Sequence, residues 1–376
     1  MRSRSLAVAL TMASLALGGC AGQGGPSTSS SSTPSVDSSS TGTSLEPVQE
    51  YVSVKYTNPV YRGTKSDFAD PFILREGDTF YAYTTGGEIA TSTDLVNWEM
   101  AGEVPNPEPW FEGDTRGIWA PSVTKIGDTY NYYYSHSAWG DDNPGIGVMT
   151  APTPLGPFED HGKVFDSREI GVTNSIDQDV FIDPVSGKIY MYWGSMWGNF
   201  AIEMAADGLT VKNPETMADD KVWVAGNKNT TIWDGSSYEG ANVIYKDGLY
   251  YLFLSQGTCC NGESSTYTTK VGWSESPLGP FVSSTGVDLL GGNRGDTVVT
   301  GDGTHTYGTG HCSVLQDDAG DWWIYYHSYV RDDDGVVRGR YMMLDKLSWV
   351  GDMPYVGPNF NPSITEMDGP RLLKRS

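Results

Sequence analysis

Residues 238–255 read YEGANVIYKDGLYYLFLS, and the fold can be worked out from this stretch. An acidic residue, Glu239, lies nine positions before a glycine, Gly248, that opens an aromatic strand. The same glycine turn and aromatic strand recur four more times, at Gly77, Gly127, Gly187 and Gly320. Successive glycines lie 50, 60, 61 and 72 residues apart, a period that suits blades of four strands. The repeats therefore predict an all-β fold, a five-bladed β-propeller.

The residues just upstream of the glycine turns are candidates for a functional site. Four of the five copies carry an ionisable residue seven to ten positions before the glycine, namely Asp70, Asp177, Glu239 and His311. The second copy has WAPS, residues 119–122, in that place. Because the innermost strands of a propeller surround one channel, we expect these side chains to converge there. Three carboxylates and a histidine at one mouth predict a site.

The first nineteen residues have the pattern of a signal peptide. Arg2 and Arg4 precede an apolar run, residues 6–17, that is too short to span a bilayer. Residues 17–20, LGGC, resemble a bacterial lipobox, which implies cleavage before Cys20 and a lipid on its thiol. We therefore expect a lipoprotein on the extracellular face of the cell envelope, with no other membrane contact. The alternative is a plain secreted protein with an incidental cysteine.

Residues 20–50 are expected to form the lipidated cysteine and a disordered tether. From residue 21 to about residue 48 nearly every side chain is Ser, Thr, Gly or Pro. Such a segment cannot bury enough apolar surface to offset the entropy lost on ordering. Residues 51–376 remain for the propeller, and they are enough for one domain with a substantial core.

The composition favours a neutral partner. The chain carries 24 Lys and Arg against 47 Asp and Glu, a formal net charge of −23. Such a surface repels nucleic acid and anionic polymers. The 12 Trp and 22 Tyr residues suit both β-strands and surfaces that stack on sugars. We therefore expect a monomeric protein that binds a neutral polysaccharide or oligosaccharide and no nucleic acid.

Beyond Cys20 there are three cysteines, Cys259, Cys260 and Cys312. Three thiols do not make a disulfide framework, and their spacing fits no zinc site. The adjacent pair is interpreted as two small buried apolar residues in preference to a vicinal disulfide.

Four motifs together resemble glycoside hydrolase family 43. They are FADPFIL at 68–74, IWAPSV at 118–123, SIDQDVF at 175–181 and YEGA at 238–241. The likeness covers roughly residues 55 to 356, and residues 253–272 are most similar to the endo-α-1,5-L-arabinanases of the family. The resemblance implies a five-bladed propeller that hydrolyses glycosidic bonds in a single step with inversion.

The resemblance also assigns roles to the three carboxylates. It implies that Asp70 is the general base, that Glu239 is the general acid, and that Asp177 holds the acid in place and raises its pKa. Inversion requires an acid and a base about 6.5–9.5 Å apart, which suits carboxyls on different blades across a channel. Each residue alone also has a structural interpretation: an aspartate before proline is common in turns, and Asp179 or Asp183 competes with Asp177.

In similar enzymes the histidine that corresponds to His311 helps to hold a calcium or sodium ion, mostly through water. This histidine ends the sequence Gly308-Thr-Gly-His, where relatives commonly have proline in place of Thr309. The expected cofactor is thus a calcium or sodium ion that acts electrostatically. The alternative is a neutral core histidine with a satisfied hydrogen bond.

Sugar contacts are expected first from Trp119, as a stacking platform, and from Arg340, which resembles an arginine of the family that reaches substrate hydroxyls. Trp110, Trp193 and Phe72 are further candidates, although most of the tryptophans are expected in the cores of the blades.

The function that these observations predict is endo-1,5-α-L-arabinanase activity on arabinan. The alternatives are an exo-acting arabinofuranosidase or galactofuranosidase, a β-xylosidase of the same family, and a sugar-binding lipoprotein without catalytic activity. Gln178 and Thr309 replace two prolines of the family's pattern close to the expected sugar pocket. The motifs therefore predict the catalytic machinery more firmly than the preferred furanose.

Overall fold

Five antiparallel sheets account for most of the computed structural model, which describes residues 49–227, 238–291 and 294–374. Each of these sheets has four strands, so the predicted five-bladed β-propeller is confirmed. The predicted signal peptide, Cys20 and nearly all of the predicted tether lie outside the described residues. Within the described ranges, no helix is long and apolar enough to cross a membrane.

The strands follow the blades in chain order. Two short strands come first, β1 (Tyr51–Val52) and β2 (Lys55–Tyr56). Blade 1 contains β3 (Phe72–Glu76), β4 (Thr79–Tyr83), β5 (Glu88–Ser92) and β6 (Glu99–Glu103). Blade 2 contains β7 (Gly117–Ile126), β8 (Thr129–Ser137), β9 (Gly145–Ala151) and β10 (Glu159–Asp166). Blade 3 contains β11 (Asp179–Ile182), β12 (Ile189–Trp193), β13 (Asn199–Glu203) and β14 (Val222–Ala225).

The last two blades and the remaining short elements complete the domain. Blade 4 contains β15 (Tyr238–Lys246), β16 (Leu249–Gln256), β17 (Thr268–Ser274) and β18 (Asp296–Thr300). Blade 5 contains β19 (Thr306–Gln316), β20 (Trp322–Arg331), β21 (Val337–Val350) and β22 (Met353–Val356), and the chain ends with β23 (Met367–Asp368) and β24 (Leu372–Leu373). The helices are short: α1 (Ser167–Ile170), α2 (Met217–Asp220) and two 3₁₀ turns, Gly262–Ser264 and Pro358–Phe360.

The aromatic strand of each repeat is the second strand of its blade. In β8, for example, Tyr132, Tyr133 and Tyr134 are all completely buried. Successive side chains of a strand point to opposite faces, so both faces of this strand are covered by neighbouring blades. A strand buried on both faces has a continuous apolar and aromatic run in place of an alternating one. This is why the five aromatic runs identify the blades.

The two ends of the domain meet beside blades 1 and 5. Strand β1 pairs with β24, and β2 pairs with β23, both antiparallel. The chain after β2 also joins blade 5, because the amide of Val60 donates to the carbonyl of Met342 at 2.9 Å. One core cluster contains side chains from both blades, among them Ile73 of blade 1 and Tyr325 of blade 5. The ring is thus closed by hydrogen bonds and by a shared core.

Polar side chains on the innermost strands tie adjacent blades together. Four such contacts each join a side-chain oxygen to a backbone amide of the next blade: Ser122 with Val180 at 3.1 Å, Asp179 with Val243 at 2.7 Å, Asn242 with Val314 at 3.0 Å and Ser313 with Ile73 at 3.0 Å. Buried amides require such partners, and each bond contributes about 1 kcal/mol. Asp179, an alternative candidate for the role of Asp177, thus lies at a junction between blades.

Phe72 occupies the equivalent place in blade 1. It directly precedes Ile73, as Ser122 precedes Val123, but its side chain cannot accept a hydrogen bond. The ring packs against a core cluster of blades 1 and 2 and lines a separate cavity of the channel, together with Asp179. Its strand carries Phe72 into the channel, and the expected contact of Phe72 with substrate stays a prediction.

Candidate active site

A pocket of about 510 Å³ lies at the end of the channel where the innermost strands begin. Its lining includes six of the residues singled out in the sequence: Asp70, Trp119, Asp177, Glu239, His311 and Arg340. They come from all five blades, and the first and last are separated by most of the folded chain. The convergence expected from the repeat is therefore present in the structure.

A left-handed residue in every blade brings these side chains to the pocket. The φ angles are 57° at Asp70, 38° at Ala120, 61° at Asp177, 60° at Gly240 and 54° at His311. Side chains other than glycine rarely adopt such angles, and backbone strain of this kind is concentrated at functional sites. The pairing register is interrupted at the same point in the long inner strands, for example between residues 239 and 242 of β15. The turn of the backbone directs these residues toward the mouth of the channel.

Four of the five left-handed residues are held by the preceding blade. The amide of Ala120 donates to Thr85 at 2.9 Å, and the amide of Asp177 donates to Ser135 at 2.8 Å. The amide of His311 likewise donates to Ser255 at 2.7 Å. In blade 1 a histidine takes the place of the hydroxyl, since the amide of Asp70 lies 3.1 Å from Nδ1 of His327. The second strand of one blade therefore positions the functional residue of the next.

Glu239 lies one residue before the left-handed position of blade 4, which Gly240 occupies. A side chain at Gly240 would place its Cβ 3.2 Å from the ring of His311, so the glycine keeps the acid and the histidine close. In the pairing register Glu239 opposes Ser255, as Trp119 of blade 2 opposes Ser135. The site thus uses two adjacent positions of the repeat.

Asp70 is surrounded by groups that favour its ionised form. Its Oδ1 lies 3.3 Å from Nδ1 of His311 and 3.1 Å from Nδ1 of His327, and Arg340 approaches its Oδ2 to 3.9 Å. The hydroxyl of Thr85 donates to the same carboxylate. Burial acts to raise the pKa of Asp70, but His311, His327 and Arg340 outweigh it and hold the pKa well below its usual value. An ionised carboxylate at this place can act as a base.

The surroundings of Glu239 favour its protonated form. Burial raises the pKa of Glu239 to about 7, and the charge of Asp70 acts in the same direction. Hydrogen bonds from Ser195, at 2.7 Å to Oε2, and from Tyr267 partly oppose the rise. A carboxyl with such a pKa keeps its proton at mildly acidic pH and is suited to donate it.

Asp177 is buried beside Glu239 and also lines the pocket. Burial, followed by the charges of Glu239 and Asp70, raises its pKa well above the usual value. Two carboxyls that repel each other's charge titrate as a pair. The family resemblance attributes the raised pKa of Glu239 to Asp177, whereas burial is its largest cause. Asp177 and Glu239 together retain a proton near neutral pH.

His311 is buried and uncharged near neutral pH, because burial lowers its pKa to about 4. Its Nδ1 faces Asp70. In the neutral ring the other nitrogen can remain unprotonated and bind a cation. Among the residues that the structure describes, no group of three or more His, Cys, Asp or Glu side chains is arranged to hold a metal ion. These residues fit a calcium or sodium ion only if water supplies most of its ligands.

Arg340 lies in the wall of the pocket, as expected. Its guanidinium pairs with Asp67 at 3.2 Å and contacts the sulfur of Cys260 at 3.6 Å. Cys260 is bonded to Cys259, and both half-buried residues line the pocket. The interpretation of this pair as separate buried thiols is therefore wrong: the pair forms a vicinal disulfide on the pocket wall. Cys312 is a free, buried cysteine.

The aromatic candidates divide between pocket and core. Trp119 lines the pocket and packs on Trp139, with ring centroids 5.4 Å apart. Trp193 ends a strand that is buried on both faces, and its indole is 0 % exposed. Its expected sugar contact is therefore wrong. Trp110 packs on His136 at 4.6 Å and is absent from the lining of the pocket.

Several residues of the site were not predicted from the sequence. Trp139, which is 79 % exposed, and Trp197 come from loops outside the repeated phrase. Tyr267 is almost fully buried and stacks on His327 with centroids 5.5 Å apart. His327 had a signal: it lies seven residues after Gly320, whereas the other copies have Ser or Thr seven or eight residues after their glycine.

The chain resembles known proteins over most of its folded part. Residues 56–354 match the family described as glycosyl hydrolases family 43. The chain is 31% identical over 309 residues to the extracellular exo-α-(1→5)-L-arabinofuranosidase of Cellvibrio japonicus, a match that covers 76% of this chain and 85% of that protein. It is 26% identical over 297 residues to the extracellular endo-α-(1→5)-L-arabinanase 1 of Bacillus subtilis, covering 76% of this chain and 86% of that one.

A similar solved structure is that of the Cellvibrio cellulosa α-L-arabinanase in complex with arabinohexaose. Its TM-score is 0.66 at 29% identity, and the match covers 77% of this chain and 95% of that chain. A five-bladed propeller with a pocket of carboxyls defines the class as a propeller glycoside hydrolase. The family match covers most of the chain, and the chain belongs to glycoside hydrolase family 43.

Proposed function

We propose that this protein hydrolyses α-1,5-L-arabinofuranosyl linkages of arabinan with inversion, as an endo-1,5-α-L-arabinanase. The observation that carries the proposal is the placement of two carboxyls with opposite surroundings in one pocket: Asp70 lies beside His311, His327 and Arg340, which lower its pKa, whereas burial raises the pKa of Glu239. The names of the relatives support the choice of substrate, because both the exo-acting and the endo-acting relatives act on α-1,5-linked L-arabinose.

In the proposed reaction Asp70 takes a proton from a water molecule as the water oxygen attacks the anomeric carbon. The bond from this carbon to the glycosidic oxygen breaks, and Glu239 gives its proton to the departing oxygen. The products are two shorter chains, and the new reducing end has the inverted configuration. Asp70 then releases its proton and Glu239 regains one from solvent.

Asp177 and Arg340 would assist without exchanging a proton with substrate. Asp177 lies close to Glu239, and because one charge on this pair disfavours a second, the two carboxyls together retain a proton that Glu239 can donate. Arg340 lies within reach of both the base and the pocket, where it can donate to a sugar hydroxyl. Trp119 offers an apolar surface for the face of a furanose ring.

The test uses Glu239→Gln and Asp70→Asn on linear arabinan. Each change keeps the shape of the side chain but removes proton transfer, so we expect kcat to fall about 10²–10⁴-fold. Circular dichroism and the melting temperature should stay close to those of the unchanged protein. Near-normal turnover in either variant would remove that residue from its role.

Endo action and exo action differ in their products. We expect a ladder of oligosaccharides from linear arabinan, since endo cleavage occurs within the chain. The exo-acting relative motivates the second candidate, and release of a single small product from the chain end would establish that mode. Galactofuranosides and xylosides, assayed beside arabinan, test for galactofuranosidase and β-xylosidase activity.

Three further properties belong to this proposal. The lipid at Cys20 would place a monomeric enzyme on the extracellular face of the envelope, and Cys20→Ser should release it into the medium.

A calcium or sodium ion would be held by the unprotonated ring nitrogen of His311 and by water. When bound, it would add positive charge beside the carboxylates and favour their ionised forms. Metal analysis and a melting temperature lowered by chelation, both reduced in His311→Ala, would test this.

A further inference from the structure

A second large cavity lies on the face of the propeller opposite the active site. Its volume is about 530 Å³, similar to that of the catalytic pocket. Strands β15 and β19 begin at the site, near Glu239 and His311, and end at this cavity with Lys246 and Gln316. At about 3.3 Å per residue, the seven residues from Glu239 to Lys246 span roughly 20 Å. The cavity is therefore too distant to be part of the catalytic pocket.

The wall of this cavity is aromatic. Tyr245, Trp322 and Trp349 all line it, and all three are half-buried. The rings of Trp322 and Trp349 have centroids 6.4 Å apart and are inclined by 66°, so they form a corner. Half-buried aromatic rings in a concave surface offer flat apolar area while their edges stay near water. A sugar ring, which has an apolar face and a polar edge, matches such a surface.

The cavity also has polar groups within reach of a ligand. Gln316 and Asp321 line it together with the aromatic side chains. Polar groups beside aromatic rings are usual features of a ligand site.

The charged side chains that line this cavity already have partners within the protein. Lys246 lies over the ring of Trp349, 4.6 Å from its centroid, and also pairs with Asp247. Asp321 accepts from Lys346 at 2.9 Å and from Arg371 at 2.8 Å. With the charges compensated inside the protein, the cavity offers little attraction to an ionic ligand. The net charge of −23 adds a general repulsion of polyanions.

We propose that this cavity is a second carbohydrate-binding site, which holds a segment of neutral polysaccharide away from the active site. The identity of the polymer, arabinan, rests on the proposed function. A polymer bound at the rear face raises the effective concentration of cleavable bonds at the front face. Short substrates cannot reach both sites and gain nothing from it. The site therefore favours long chains over short ones.

The test combines binding and kinetics. In the background of Glu239→Gln, which leaves the polymer intact, native gel electrophoresis in soluble linear arabinan measures binding. We expect Trp322→Ala to weaken the retardation about threefold to tenfold, since it removes one stacking surface. With the otherwise unchanged enzyme, Trp322→Ala should raise KM for arabinan by a similar factor and leave kcat/KM for a short arabino-oligosaccharide unchanged.

Two controls keep the outcomes separate. Val350→Ala changes an exposed residue next to Trp349 and should alter neither binding nor KM. Tyr245→Ala provides a second variant of the cavity if Trp322→Ala does not fold. Retardation that is unchanged in both cavity variants overturns the proposal. If the protein neither cleaves nor binds arabinan, but another neutral polysaccharide is bound and Trp322→Ala weakens that binding, the cavity proposal stands and the proposed function fails.

Discussion

Replacing Tyr267 with phenylalanine should move the pH dependence of catalysis to higher pH. Tyr267 is 1% exposed, lines the pocket and stacks on His327 with an interplanar angle of 13°. Its hydroxyl forms a hydrogen bond with Glu239 that lowers the pKa of the acid, against the larger effect of burial. The phenylalanine ring keeps the stacking but removes this hydrogen bond. The variant therefore isolates one electrostatic contribution to the pKa.

The size of the effect follows from the strength of the hydrogen bond. A bond to a charged group contributes about 1.5–3 kcal/mol, and one pKa unit corresponds to 1.36 kcal/mol. Because the protonated acid also interacts with the hydroxyl, only part of this difference acts on the pKa, about half a unit to one unit. The acid is active when protonated, so activity falls as pH rises through the pKa of Glu239, which is about 7. Raising this pKa moves the fall to higher pH.

The assay is kcat/KM against pH on an arabino-oligosaccharide, whose leaving group requires protonation. This profile reports the pKa values of the free enzyme. Tyr355→Phe, a tyrosine that packs on Phe360 away from the pocket, serves as the control and should leave the profile unchanged. A basic limb that stays in place or moves to lower pH in Tyr267→Phe would refute the reasoning, even if the rate fell.

Two other changes test the packing around the site. Gly310→Ala places a Cβ 2.3 Å from the ring of Tyr267, so the melting temperature should fall by an amount equivalent to about 1–3 kcal/mol, as differential scanning calorimetry would show. Cys260→Ser breaks the disulfide beside Arg340; we expect KM for arabino-oligosaccharides to rise severalfold with kcat little changed, and an equal KM would exclude a role in binding.

The blades could be predicted because a buried strand requires a recognisable pattern of residues. The second strand of each blade is covered on both faces, which requires a run of large apolar and aromatic side chains after the glycine turn. In contrast, no residue pattern indicates the direction in which a given tryptophan side chain points. Trp193 belongs to one of these runs and is fully buried, whereas Trp119 follows the innermost strand to the pocket. Only the position within the blade distinguishes them.

The residues that converge on the pocket were predicted from the sequence, but the backbone conformation that brings them there was not. Asp70, Asp177 and His311 share one left-handed position, and Glu239 comes one residue earlier in its own blade. A change of backbone direction decides this difference. Aspartate and histidine adopt a positive φ more often than most residues, but neither residue requires one. Gly240 was the strongest hint, since glycine is the residue that adopts this conformation most readily.

We expect the residues that select a substrate to come from a different part of the chain than the carboxyls. The carboxyls occupy repeated positions at the start of the inner strands, where the preceding blade holds the backbone amides of Asp70 and Asp177. Trp139 and Trp197, in contrast, lie in loops that follow the second strands of blades 2 and 3, and these loops have no counterpart in the repeated phrase. A loop can change length without moving a carboxyl, so the same pocket can serve a chain end or a chain interior. Relatives that act in exo and endo fashion are then expected to resemble this chain about equally.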